Sequence, residues 1–347
     1  MIFRRAREGT VVVQTAYLGN VVLTTPLLSV LAARHGPVDV VAQPTSGQVL
    51  ERHPAVREVI PYDKRGVDRG WRGARRFARA LRHRRYARAF LPGRSWRAAL
   101  LVYAARIPER TGFAGSPAER LYSRRVERPG HGHESARLAA LAGVPVGAPL
   151  PPLAVGLGAE DHRAAEAWLA ERGVPGEFVA MAPGSVWGAR RWPHFGALAA
   201  AAPHPVVVIG GPADAARGDD VVAAAPGRAW NAAGTVGPRF AAALIARALA
   251  LVTNDSAALH VAGAVRTPVV ALLGPTVPAF GFGPLGPLDV VVGRDELLCR
   301  PCAQPGPAVC PLDHHRCLRE LSAETVAGAL ASVIRRVEEC RALRAGH

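Results

Sequence analysis

Lysine is almost missing from this chain: of its 43 basic residues, only Lys64 is not an arginine. Together with the abundant alanine this is a GC-rich coding bias, not a functional signal. The charge it leaves is physical. A formal net charge of +16 favours anionic partners such as nucleotide phosphates, an acidic glycolipid, a membrane surface or nucleic acid. Long apolar runs are missing too, and none reaches the ~20 residues that a membrane span needs. The start, "MIFRRAREGTVVVQTAYLGNVVLTTPLL", has a basic front and an apolar run. Gln14, Gly19, Asn20, Thr24 and Thr25 interrupt that run, and no small-residue cleavage site follows, which disfavours a signal peptide. The expectation is a cytoplasmic protein whose membrane contact is peripheral.

Two nucleotide-binding fingerprints are also absent. There is no G-x-G-x-x-G after the first strand and no G-x-x-x-x-G-K-[ST], so a dehydrogenase and a P-loop ATPase are disfavoured. No helix-turn-helix, zinc-finger or RNP motif accompanies the basic charge, which disfavours nucleic acid as the partner.

What is present alternates. Apolar strands are predicted at 10–15, 38–42, 57–60 and 87–91, with helices at 24–34, 45–52 and 71–83. This spacing predicts a parallel sheet covered by helices. The stretch "VVVQTAYLGNVVLTTPLL" reads as a strand, a tight turn at Gly19-Asn20 and a helix with Pro26 in its first turns. "GVPVGAPLPPLAV" (143–155) is the candidate linker. Beyond it, strands end in "APGS", "IGGPAD", "TNDS" and "LLGPT", and a helix is predicted over 322–344. In a parallel sheet such turns gather at one edge, where ligands bind. At 347 residues the chain is too long for one ordinary core. The predicted division is 1–150, 151–321 and a terminal helix at 322–347.

Several residues at these turns are suited to chemistry. Ser185, Arg190 and Arg191 offer a hydroxyl and forked guanidinium donors to phosphate oxygens; the plainer reading is a surface arginine pair before a helix. Asp214 can accept from ribose hydroxyls or can cap the following helix. Asp255 and Ser256 stand where a helix begins, suited either to capping it or to work beside a bound anion. His260, one turn on, is either part of that mouth or a packed helical histidine. The basic run from Lys64 to Arg110 either meets an anionic acceptor or is a solvated face. Cys299, Cys302, Cys310 and Cys317 lie near His314 and His315. Four thiolates can hold a structural zinc, although the spacing matches no standard finger and the loop can equally carry free thiols.

In order and separation, "QTAYLGNVVLTTPLL", "RIPERTGF", "APGSVWGARRWP", "IGGPAD", "TNDSAALHVAGA" and "LLGPTVP" resemble glycosyltransferase family 9, the lipopolysaccharide heptosyltransferases. The resemblance spans about residues 10–335. It implies a GT-B fold, α/β, with two Rossmann-like domains of parallel sheets facing a cleft. The first would bind the acceptor and the second the sugar nucleotide. It implies an inverting, metal-independent transfer from ADP-heptose to a lipopolysaccharide core sugar, at the cytoplasmic face of the inner membrane. Carried over by position, Ser185 and Arg190 would bind the diphosphate, although the family usually has lysine where Arg190 stands. Asp214 would lie near the ribose. Asp255, with Ser256 and His260 in its motif, would hold donor-sugar hydroxyls. Gly274, Pro275 and Thr276 would line the cleft. A similar cysteine segment recurs in some members, so a metal there would be structural and not needed for transfer.

The sequence departs from the family at position 20. The family's first loop reads leucine-glycine-aspartate, and that aspartate is its proposed base. Here it is Asn20, which can orient a hydroxyl but has no usable basicity. Three readings stay open. Another group, with His133 and Glu134 as candidates, takes the proton; or the leaving ADP and positioning supply most of the rate; or the chain is a silent sugar- or nucleotide-binding relative. A related transferase using another nucleotide sugar is the remaining alternative. Ala257, where the family tends to have glycine, is a milder change.

Overall fold

A computed structural model describes residues 8–235, 237–302 and 308–345. The chain divides into two compact units, Met1–Gly156 and Leu157–His347. The boundary falls just past the Pro-rich stretch, six residues beyond the predicted one.

The first unit holds six parallel strands: β1 (Thr10–Gln14), β2 (Val38–Ala42), β3 (Val56–Pro61), β4 (Arg88–Leu91), β5 (Glu109–Phe113) and β6 (Arg124–Val126). Their order is β3-β2-β1-β4-β5-β6. β1 is buried along its whole length, as expected for a central strand covered on both faces. On one face, Val11, Val13 and Val41 pack against Phe77, Ala78 and Leu81 of the helix Gly70–His83, and against Ala98, Leu101 and Val102 of the helix Trp96–Ala104.

The second unit repeats this plan with β7 (Val179–Ala182), β8 (Val206–Val208), β9 (Ala229–Asn231), β10 (Leu251–Asn254), β11 (Val269–Leu272) and β12 (Val290–Val292), in the order β12-β11-β10-β7-β8-β9. In both sheets the first strand sits beside the fourth, and connections run outward in opposite directions from that pair. This reversal opens a crevice at the strands' carboxyl ends, the usual ligand position in such sheets. The terminal helix Ala323–Ala345 is no separate segment. Val326, Leu330, Val333 and Ile334 bury it in the second unit's core beside Val270 and Leu272.

The predicted turn at Gly19-Asn20 is corrected. Both residues are helical, within Leu18–Leu23, and Gly19 is not among the glycines with positive φ. The chain leaves β1 in extended form through Tyr17, whose carbonyl accepts from Val21 N at 3.2 Å. A second helix, Thr25–His35, follows directly with Pro26 in its first turn, where a missing N–H costs nothing. The predicted helix at 45–52 is shorter, Pro44–Gly47, followed by a tight turn over Gln48–Leu50.

Candidate active site

In the second unit, the predicted residues after β7 and β10 meet at the strand-order reversal. Asp255 follows β10 and is buried. Its Oδ2 accepts from Thr276 Oγ1 at 2.8 Å and pairs with Arg190 Nη1 at 2.8 Å. Burial pushes its carboxyl above the ordinary aspartate value, while Arg190 and then Thr276 pull it back. Ser185 Oγ donates to the Asp255 carbonyl at 3.2 Å, tying the loop after β7 to the one after β10. Arg191 Nε donates to the Ser185 carbonyl at 2.9 Å, fixing that loop from its other end. Burial, then Arg217, lowers the Arg191 pKa, and Asp214 raises it, so the ribose candidate shares this neighbourhood.

Asp214 does not cap the following helix with its side chain. Its Oδ2 instead accepts from Gly211 N at 3.1 Å, closing the turn Pro212–Asp214. A Cβ on Gly184 would stand 2.3 Å from that carboxyl group, so glycine is required for the two strand-end loops to approach. Ser256 caps the helix Ala257–Val265, its Oγ accepting from Ala258 N at 3.3 Å. His260 is buried in that helix with its ring 6.4 Å from Phe282. Gly274 lies against Leu318, and the Pro275 carbonyl accepts from Cys302 N at 2.9 Å.

Three further residues hold the site, and of these the sequence marks only His315, as a neighbour of the cysteines. Asn254, fully buried, donates to the Pro183 carbonyl at 2.8 Å and accepts from Trp192 N at 3.0 Å, so it spans the loop that carries Ser185 and Arg190. A polar amide ending an apolar strand was the available signal. Arg300 donates to the carbonyls of Leu273 at 2.9 Å and Thr276 at 3.2 Å, bracing the Gly274-Pro275-Thr276 loop. His315 Nε2 lies 2.6 Å from the Ala189 carbonyl, while Ala189 N donates to Ala308 at 3.0 Å. The cysteine-rich segment therefore clamps both loops of the site.

The four cysteines, Cys299, Cys302, Cys310 and Cys317, all lie in the second unit. Among the described residues no group of three or more His, Cys, Asp or Glu side chains is placed to hold a metal ion, and all four cysteines are free. They lie near enough to perturb one another: burial, then its neighbours, pushes the Cys317 thiol up to about 11. Cys302 points its thiol at the Cys299 carbonyl, 3.6 Å away.

Asn20, His133 and Glu134 belong to the first unit. Asn20 is partly exposed, and no described residue hydrogen-bonds its amide. The strand end before it is fixed: Gln43 Nε2 donates to Thr15 O and Ala16 O, both at 2.9 Å, and Lys64 Nζ donates to Thr15 O at 2.8 Å. Glu134 does not present a free carboxylate. Arg128 Nη2 reaches both its oxygens, at 2.8 and 2.6 Å, and Arg137 is 3.8 Å away. His133 caps the helix Glu134–Ala139, its Nδ1 accepting from Ser135 N at 3.3 Å. Both residues thus have structural contacts within the first unit.

Two doubly wound α/β units, one gathering hydroxyl, guanidinium and carboxylate groups at its strand-order reversal, are the architecture of glycosyltransferases of the GT-B class. Structural comparison agrees. The structure of ADP-heptose lps heptosyltransferase II from E. coli superposes with a TM-score of 0.79 at 26% identity, covering 95% of this chain and 99% of that one. The family 9 glycosyltransferase from Veillonella parvula has the same fold, with a TM-score of 0.82 at 23% identity over 96% and 99%. Lipopolysaccharide heptosyltransferase 2 of Salmonella typhimurium is 32% identical over 295 residues, 78% of this chain and 83% of that protein. Residues 74–309 match glycosyltransferase family 9 (heptosyltransferase), and the chain belongs to that family.

Proposed function

We propose that this enzyme transfers a heptose from ADP-heptose to a core sugar of a lipopolysaccharide acceptor, with inversion and without a metal. The observation that carries this reading is the Arg190–Asp255–Thr276 cluster, tied to Ser185 at the strand-order reversal. Arg190 Nε is buried and has no hydrogen-bond partner among the described residues, so the pair with Asp255 does not use all the donors of this guanidinium. Arg190 and Arg191 would supply the positive charge that the leaving diphosphate needs, which is why no metal is invoked. Asp255, paired with Arg190, would accept from hydroxyls of the donor sugar. The names of the relatives, lipopolysaccharide heptosyltransferase 2 and ADP-heptose lps heptosyltransferase II, support the choice of donor and acceptor.

In the transfer, the acceptor oxygen attacks the anomeric carbon as the bond from that carbon to the diphosphate breaks. The diphosphate leaves with the bonding pair. The acceptor hydroxyl proton must also leave, and Asn20 cannot take it. We assign Asn20 to orienting the hydroxyl, with the proton passing to the departing ADP or to water. General-base assistance is commonly worth ~10²–10⁴-fold, so its absence slows transfer without abolishing it.

The test is ADP release from ADP-heptose with a purified core acceptor, comparing the native protein with Asn20→Asp and repeating both in EDTA. Slow native turnover that survives EDTA and rises on Asn20→Asp supports the reading. Activity only in Asn20→Asp makes the native chain a binding relative. Donor binding without turnover in either discards the acceptor, and failure to bind ADP-heptose discards the donor.

A further inference from the structure

On the first unit, the helix Trp96–Ala104 has two apolar faces. Ala98, Ala99, Leu101 and Val102 enter the core. Trp96, Leu100 and Tyr103, at spacings of four and three, form a second stripe that faces water, 60%, 42% and 51% exposed. The helix Gly70–His83, packed beside it, adds Trp71 at 68% exposure. Arginines interleave with these rings. The Arg110 guanidinium lies 5.5 Å from the Tyr103 ring centre, and Arg72 lies 5.5 Å from that of Trp71. From Lys64 to Arg110 the chain carries fifteen lysine or arginine residues against two acids, Asp68 and Glu109. One of those acids, Asp68, is buried and paired with Arg76.

Indole and phenol rings beside arginines are the chemistry of a lipid-water interface, where rings enter the headgroup layer and guanidinium groups meet phosphates. We propose that the Trp96–Leu100–Tyr103 stripe, with the arginines around it, docks this enzyme onto an anionic phospholipid bilayer. The proposal deepens the reading of the acceptor as a membrane glycolipid. Charge selects the occupant. A second copy would bring another +16 chain against the same arginine-rich surface, whereas an anionic bilayer complements it. Among the described residues no helix is long and apolar enough to cross a membrane, so contact of this kind is peripheral.

The experiment is sedimentation of the full chain with vesicles of phosphatidylcholine alone or mixed with phosphatidylglycerol, across a salt series. The native chain is compared with a triple variant, Trp96→Ser, Leu100→Ser and Tyr103→Ser, and with Arg72→Glu combined with Arg75→Glu. Binding to the anionic vesicles only, weakened by salt and roughly tenfold or more weaker in the triple variant, supports the proposal. Circular dichroism and ADP affinity should be unchanged in the triple variant, since the stripe lies outside the donor-binding unit. Absence of native binding, or equal binding by the triple variant, overturns the proposal. So does a native dimer that the triple variant dissolves, because the stripe then belongs to a second copy. No donor or acceptor enters the vesicle assay, so its failure is separate from failure of the transfer reading.

Discussion

Replacing Arg190 by methionine should expose how much the Asp255 pair costs to break. The side chains of Arg190 and Asp255 are only 13% and 8% exposed, and they meet at 2.8 Å. Methionine keeps much of the arginine stem but leaves a buried carboxylate with Thr276 as its one side-chain donor. Removing one member of a buried pair typically costs about 3–5 kcal/mol, and the residual exposure here argues for about 3. The pH dependence follows from Asp255. Its folded pKa is already above the ordinary 3.8 through burial, and losing Arg190 removes the main opposing influence and raises it further. A raised carboxyl pKa contributes stability that is fully present below the unfolded pKa and lost as pH rises through the folded one. The penalty of Arg190→Met should therefore be largest near neutrality and shrink as Asp255 protonates. Urea unfolding followed by the fluorescence of buried Trp192 and Trp168, both in the second unit, measures it. Adding Asp255→Asn, which keeps an acceptor for Thr276 without the charge, should recover at least half the loss. A penalty below about 1 kcal/mol, the scale of an exposed pair, would refute the argument. So would a penalty that is constant with pH, or one that Asp255→Asn leaves untouched.

Two further outcomes test the supporting structure. Gly274→Ala would place a Cβ 2.5 Å from Leu318, itself fully buried, so it should destabilise the second unit by about 1–3 kcal/mol and weaken ADP binding; a melting temperature and affinity equal to native would contradict the close packing. Cys317, buried with its thiol pushed up to about 11, should resist iodoacetamide at mildly alkaline pH while exposed Cys340 is alkylated; mass spectrometry showing equal labelling would count against this burial.

Much of the frame was legible because central parallel strands announce themselves. β1, β2, β10 and β11 are short, mainly apolar runs with polar residues or glycine at or just past their ends. β5 and β6, "ERTGF" and "RRV", were not legible as strands, since they lie toward the sheet edge and carry charge. Glycine beside asparagine at 19–20 is a turn signal, yet Leu18, Val21 and Val22 make a helical continuation just as consistent. In the cluster at the second sheet's strand-order reversal, Ser185, Arg190, Asp255 and Thr276 are readable from turn context and family resemblance. Their mutual bonds are not, because they join positions as far apart as 70 residues. The bonds of Arg300 and His315 are hidden for the same reason. Their partners are backbone carbonyls, which leave no trace in the identity of residues 189, 273 and 276. The cysteines drew attention to the segment for its thiols, while its visible work is done by backbone groups, an imidazole and a guanidinium.

The strand order used twice also bears on how the chain is made. In each half the innermost strand is synthesised first and waits for its second neighbour: β1 for β4, and β7 for β10. All six strands of the first sheet are complete by Val126, before β7 begins at Val179. Domains tend to fold as units as they emerge during synthesis. A nascent chain therefore has everything needed to close one sheet while none of the other exists. In each half, the period most exposed to misassembly is then the stretch of translation before the fourth strand, when an apolar central strand has only one side covered.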